Sequence, residues 1–230
     1  MNTLTTRRLA AMISVAGICF AAPAYAQEKT VKIGVLNDMS SLYADIGGPN
    51  SVVAIKMAVE DSGLTKKGWK IEIVSGDHQN KPDIGVNIAR QWIDNDKVDV
   101  IADTPNSGVA LAVNNLVKEK NKVLLNSGAA TADLTGKACS PNTIQWVNDA
   151  WATGNTTAAA MMARGGKDWY FITVDYALGK GIEAEAANYI EKNGGKVLGS
   201  SKHPLGTSDF ASFLLQAQNS KARLIGLAHA

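Results

Sequence analysis

From Thr30 onward the chain alternates short runs rich in Val and Ile with longer stretches whose apolar residues recur at helical spacing. βα units building a parallel sheet produce that order, because parallel neighbours need a crossover long enough to hold a helix. Residues 31–36, 69–74, 98–102 and 122–125 read as strands, and 46–61, 83–94 and 107–120 as the helices between them. After a crossing segment at 143–151, a second run gives helices over 155–164, 181–192 and 208–218, the last capped by Ser208. Its strands are expected at 169–174, 196–201 and 223–228. The expected fold class is α/β, with two Rossmann-like lobes built on parallel sheets, over residues 27–145 and 146–230. A three-stranded second sheet would have an uncovered edge and face, so the second lobe is expected to be incomplete at residue 230.

Arg7 and Arg8 precede an apolar run at 9–22, and Ala24-Tyr25-Ala26 forms a small-x-small site, so residues 1–26 are predicted to be a signal peptide. That run is too short for a spanning helix, and no other stretch approaches roughly 20 apolar residues, so the mature protein is expected to be soluble and periplasmic. Two other readings of the segment are weaker. Cys19 follows Ile18 where lipid attachment needs a small residue, and the Arg pair lacks the full twin-arginine context. The whole chain has 23 Lys and Arg against 21 Asp and Glu. The signal segment holds two of the basic residues and no acidic one, so the remainder balances, and charge offers no case for nucleic acid or a membrane surface. Cys139 is then the one cysteine left, expected either to be buried and inert or to pair with sequence not present here.

In an open parallel sheet the functional crevice lies beyond the carboxyl ends of the strands. That rule selects the loops at 37–43, 103–107, 126–131 and 175–179. Asn106 and Ser107 open a helix, where unpaired N–H donors and the dipole suit a carboxylate; on the residues alone, simple helix capping is the commoner role. Ala129, Ala130 and Thr131 belong to a small-residue loop that reads as a turn or as ligand-facing backbone. Tyr43 and Tyr176 stand in crevice loops of different lobes and together would sandwich a flat or apolar group. Trp146 and Trp151 flank the crossing between lobes, as hinge packing or as an aromatic wall for a ligand.

Catalytic and cofactor signatures are missing. There is no P-loop, no G-x-G-x-x-G and no G-x-S-x-G, and no cofactor is expected. His78, His203 and His229 have no metal-ligand spacing; Asp77-His78 with Asp38 and Asp103 makes a weak metal cluster at most, and His78 reads as a solvated loop histidine. Gly47-Gly48-Pro49 lacks a following Lys-Ser or Lys-Thr and reads as a tight turn into a helix.

The ordered set of motifs resembles the type I periplasmic binding proteins that serve ABC importers of branched-chain amino acids, amides and aromatic or aliphatic carboxylates. It is carried by residues 31–36 with Met39-Ser40-Ser41 and Gly47-Gly48, then by Gly76-Asp77-His78-Gln79-Asn80-Lys81-Pro82-Asp83 and Ala89-Arg90-Gln91-Trp92. Val98-Asp99-Val100-Ile101, the run at 126–136 and Asp175-Tyr176-Ala177-Leu178-Gly179 complete it. The resemblance implies two lobes with a hinge, three crossings between them, and a ligand in the cleft. It also implies a carboxylate held by the loops at Asn106-Ser107 and at Ala129 to Thr131, with Tyr176 closing from the second lobe.

On this reading the chain captures a small carboxylate-bearing solute, works as a monomer with an inner-membrane ABC permease, and is not an enzyme. A ligand sensor of the same fold is the nearest alternative. A secreted hydrolase would need a nucleophile and base that the sequence does not present.

Overall fold

The structure is a computed structural model that describes residues 29–229. The proposed signal segment, with Cys19 and the Arg pair, lies outside the described residues. Two parallel sheets organise the chain. The first has the order β2-β1-β3-β4-β5, from β1 (Thr30–Asn37), β2 (Lys70–Asp77), β3 (Val100–Asp103), β4 (Val123–Asn126) and β5 (Thr143–Gln145). The second has the order β7-β6-β8, from β6 (Asp168–Val174), β7 (Lys196–His203) and β8 (Leu224–Ala228). All of these pairings are parallel, as the βα alternation requires.

The crossovers are α1 (Gly48–Asp61), α2 (Pro82–Asp94) and α3 (Ser107–Lys120) in the first lobe, and α4 (Ala150–Ala163), α5 (Ala177–Lys192) and α6 (Ala211–Asn219) in the second. Strands buried on both faces read as continuous apolar runs, and β6 is the clearest case, with Trp169 through Val174 all buried. In the first lobe α2 and α3 pack Ala89, Trp92, Val109, Val113 and Val117 onto Leu36, Ile101 and Leu124. The Trp92 indole lies flat against β1 and β2 because Gly34 and Gly76 present no side chain there. A Cβ added at Gly34 would come within 2.5 Å of the ring, and one at Gly76 within 2.8 Å. The opposite face carries α1 and an apolar cavity of about 430 Å³ lined by Ile33, Ile55, Val59, Trp69, Leu125 and Trp146.

In the second lobe α4 and α5 cover Trp169 and Phe171, while α6 covers Tyr170 and Ile172. Close approach of α4 to α5 needs Gly154, where an added Cβ would lie 3.0 Å from the Ala186 nitrogen and the Ile182 oxygen.

Several elements differ from the sequence expectation. Helix α4 begins at Ala150, five residues before the expected start, because Asp149 Oδ1 accepts the Ala152 N–H at 2.9 Å. Helix α5 begins at Ala177 instead of residue 181, and α6 at Ala211, where Asp209 and not Ser208 bonds the entering backbone. Residues 143–145 are a fifth strand of the first sheet. No helix among the described residues is long and apolar enough to cross a membrane.

Candidate functional site

The strand order reverses between β1 and β3, so the loops leaving these two strands diverge to opposite faces and open a crevice at their carboxyl ends. Register places a row of polar residues along that rim, with Asn37 opposite Asp77, Asp103 opposite Asn126, and Asn126 opposite Gln145. In the second lobe the same reversal falls between β6 and β8.

The first-lobe rim is a continuous hydrogen-bonded network. Fully buried Asp38 accepts the Ser41 N–H at 2.9 Å, the Ser41 hydroxyl at 2.7 Å, the Tyr43 N–H at 2.7 Å and the Asn80 side-chain amide. Burial alone would raise the Asp38 pKa, but those hydrogen bonds to the ionised form prevail and hold it below the usual carboxylate range. Asp77 likewise gathers the Met39 and Gln79 N–H groups at 3.0 and 2.9 Å. Asn37 donates from its amide to the Asp103 carboxylate and to the Ser51 hydroxyl, and Ser127 donates to Asp103 from the far side at 3.0 Å.

Asp103 and Thr104 both have left-handed backbone, at φ 80° and 59°. A fully buried, β-branched Thr there is an outlier held by its surroundings. Its N–H bonds Leu36 O at 3.0 Å, which keeps the turn against β1 before the chain enters α3.

His78 is not solvated: it is fully buried. Its Nδ1 accepts the Asn80 N–H at 3.0 Å, and its Nε2 has no partner among the described residues. Burial pushes its pKa down, partly opposed by Asp38, Asp77 and Asp103. Among the described residues no group of three or more His, Cys, Asp and Glu side chains is arranged to hold a metal ion.

Residues 30–230 match the family model described as periplasmic binding protein. The chain belongs to the periplasmic binding protein family. Solved structures agree. A periplasmic binding protein from Burkholderia mallei is 48% identical with TM-score 0.84 over 88% of this chain and 54% of that one. A branched-chain amino acid ABC transporter periplasmic ligand-binding protein from Burkholderia xenovorans is 42% identical with TM-score 0.69 over 85% and 52% of the two chains. A solute-binding protein of an ABC transporter from R. palustris, in complex with 4-hydroxybenzoate, is 28% identical with TM-score 0.76 over 86% and 53%. The chain thus spans about half the length of these solved relatives. No curated protein matches it.

In this periplasmic binding protein the eight sequence-selected residues do different things. Asn106 caps α3, its Oδ1 accepting the Gly108 and Val109 N–H groups at 2.9 and 3.1 Å. Ser107, the first residue of α3, is fully buried, and its hydroxyl has no partner among the described residues. The Ala129 N–H bonds Asn126 Oδ1 at 2.9 Å, and Ala130 O accepts the Ala150 N–H at 2.7 Å, tying the loop to the start of α4. Thr131 Oγ1 accepts the Asp133 N–H at 3.3 Å, leaving its own proton to donate.

Tyr43 and Tyr176 do not face each other across a gap. Their hydroxyls are 2.7 Å apart, joining the first-lobe loop to the second lobe. Burial raises the pKa of both, and for Tyr176 the Tyr43 hydroxyl adds to the rise, so both rings stay neutral. Trp151 is 59% exposed in the first turn of α4, while the equally exposed Trp146, next to Gln145 at the end of β5, borders the apolar cavity under α1. Asp38, Asp77 and Asp103, which shape the rim, were not selected as site residues. The signal that marks them is an acidic residue ending β2 and β3 and directly following β1.

Proposed function

We propose that this protein is the solute-capturing component of an ABC importer, holding a small carboxylate-bearing solute between its lobes and presenting the closed form to an inner-membrane permease. The observation that carries this reading is the Tyr43–Tyr176 hydroxyl contact at 2.7 Å, which joins crevice loops of the two lobes at the ends of their parallel strands. A solute that touches both lobes stabilises the closed arrangement by its differential contact with it. Three features favour a carboxylate. The dipole at the start of α3 attracts anions, the buried Ser107 hydroxyl has no partner among the described residues, and Thr131 retains a donor. Asn106 and Ala129 act indirectly, holding the backbone that carries those groups. The relative bound to 4-hydroxybenzoate and the one described for branched-chain amino acids bracket the solute class. The chain is exported to the periplasm and acts as a monomer.

The test is calorimetric titration of the full-length protein with branched-chain amino acids and aromatic carboxylates, repeated with Ser107→Ala, Thr131→Ala and Tyr176→Ala. One solute class is expected to bind, and each substitution to weaken it by about tenfold while the fold is kept, the worth of one charge-assisted hydrogen bond. Unchanged affinity in the variants would remove those residues from the site, and no binding by any carboxylate would overturn the reading.

A further inference from the structure

The turn that joins β2 to α2 is built without glycine. Gln79 and Asn80 both take the left-handed backbone, at φ 50° and 56°, and the Lys81 N–H closes the turn on His78 O at 2.8 Å. Successive left-handed residues make a turn of the I′ kind, which Gly and Asn favour and Gln does not, so side chains have to hold this one in place. Asp77 Oδ1 accepts the Gln79 N–H at 2.9 Å, and His78 Nδ1 accepts the Asn80 N–H at 3.0 Å. An Asx side chain would take the N–H two residues on in the same way, with its Oδ1 in the place of Nδ1. Because Nδ1 accepts, the neutral His78 ring carries its proton on Nε2.

Asn80 carries the effect of that turn across the rim. Its side-chain amide donates to Asp38 and, at 3.2 Å, to the Ser41 hydroxyl, while its Oδ1 accepts from the Asn106 amide at 3.3 Å. Asn106 in turn caps the Gly108 and Val109 N–H groups that open α3. An unbroken chain of hydrogen bonds therefore runs from one imidazole lone pair to the start of α3. The ring is fully buried beside Gly85 of α2, where an added Cβ would lie 3.4 Å from the His78 Cβ and 2.6 Å from the Val109 side chain of α3.

We propose that His78 is a positioning residue of the first-lobe rim, pinning this turn through its Nδ1 lone pair and releasing Asn80, and with it the capped start of α3, when that nitrogen takes up a proton. A protonated Nδ1 offers the Asn80 N–H only another hydrogen, so the bond is replaced by a repulsive contact. Asp38, Asp77 and Asp103 face the ring from the ends of β1, β2 and β3 and favour charge on it. Helix α2 brings Lys81 and Asp83 at its start, and the first turn of α3 brings no charged side chain. Burial outweighs the three carboxylates and holds the His78 pKa below the ordinary histidine value, so the turn is pinned at neutral pH and released only below about pH 6.5. Asp38 and Asp77 are held below the usual carboxylate range, so between about pH 6.5 and 4 they stay ionised while His78 changes. That the start of α3 seats a solute carboxylate rests on the capture reading above; the pinned turn does not, and its test needs no solute.

The test is nuclear magnetic resonance of the isotope-labelled full-length protein, free of solute and titrated from neutral pH to about pH 4. At neutral pH the His78 ring is expected as the Nε2–H tautomer. On acidification the Asn80, Gly108 and Val109 amide signals are expected to move with one midpoint, shared with the His78 ring nitrogens and lying between about pH 4 and 6.5. Protection of the Asn80 N–H, corrected for the intrinsic pH dependence of exchange, is expected to fall about tenfold, the worth of one hydrogen bond. His78→Asn puts an Oδ1 where Nδ1 stands and does not titrate, so the same amides are expected to keep their neutral-pH protection and lose the shared midpoint. An Nδ1–H tautomer at neutral pH, a His78 ring that does not titrate above about pH 4, or a titration that leaves Asn80 and Gly108 unmoved would overturn the inference from wild type alone. Survival of the midpoint in His78→Asn would overturn it too, and each of these results leaves solute capture standing.

Discussion

The two lobes bring different chemistry to the same crevice. On the first-lobe side, Asp38, Asp77 and Asp103 are each held by donors from neighbouring residues, Asn37 bonds both the Asp103 carboxylate and the Asp38 N–H, and Asn80 joins Asp38 to Asn106. On the second-lobe side, Thr173 Oγ1, Ser201 Oγ and His203 Nε2 are buried without partners among the described residues, and rings form the wall. A rim whose donors and acceptors already pair with one another is pre-organised, so little ordering remains to be done when a solute arrives. The second-lobe side instead presents rings, while both sides keep buried polar atoms with no partner among the described residues, His78 Nε2 and Ser107 Oγ on the first and Ser201 Oγ and His203 Nε2 on the second. We read the first lobe as a polar platform and the second as an aromatic face.

The largest expected effect separates these roles directly. Asp38→Ala strips the Ser41 and Tyr43 N–H groups, the Ser41 hydroxyl and the Asn80 amide of their shared acceptor, which should cost about 3 kcal/mol of stability. Ser201→Ala removes a hydroxyl that makes no hydrogen bond among the described residues and should stay within about 0.5 kcal/mol. Urea melts of both variants check this. Similar losses in the two would mean that the rims are not built differently.

Acid should act on the same asymmetry, less strongly at first. His78 has a depressed pKa in the folded state, so the unfolded chain takes up a proton more readily below about pH 6.5 and stability begins to fall there. Asp38 and Asp77 are also depressed. Their contribution is fully present above the unfolded carboxylate range and is lost as pH drops through about 4 and below. The opening free energy of β1 amides, from exchange rates corrected for their intrinsic pH dependence, should therefore fall in two steps on acidification. A first-lobe profile that is flat from pH 7 to 3 would contradict the network as a source of stability.

Most of the fold was legible in the sequence because the signals are local. Strand β6 is a buried apolar run, and α3 shows helical apolar spacing that ends at Asn121, which takes the left-handed conformation. Fold class and crevice loops followed from the order of such elements. Strand β5 was not legible, since three residues are too few to show a period and it forms only by pairing with β4. The start of α4 was hidden because Trp151 and Gly154 break the expected pattern, although Gly154 is what lets α5 approach. His78 and Asp38 were misjudged or overlooked for a shared reason: their surroundings come from residues far off in the chain, such as Asn80 meeting Asp38 across 42 positions. Cys139, one reading of which was a buried and inert residue, is instead exposed and has no disulfide partner among the described residues.

The smallest effect tests the joint between the two regions. Tyr43 is 6% exposed and packed into the first-lobe rim, so its hydroxyl is a fixed post, while Tyr176 belongs to the loop that begins α5. Tyr176→Phe removes one hydroxyl from the 2.7 Å pair and leaves the ring in place, so stability should change by less than about 1 kcal/mol. The consequence should show in binding, because a hydrogen bond made only when the lobes meet stabilises the closed state alone. A shift of that size towards the open form lowers apparent affinity by at most about fivefold, chiefly through faster release. Stopped-flow release rates for wild type and variant measure it. If release is unchanged while Tyr176→Ala still weakens binding, the ring and not the hydroxyl is what the second lobe contributes at this point, and the contrast between a polar platform and an aromatic face becomes sharper.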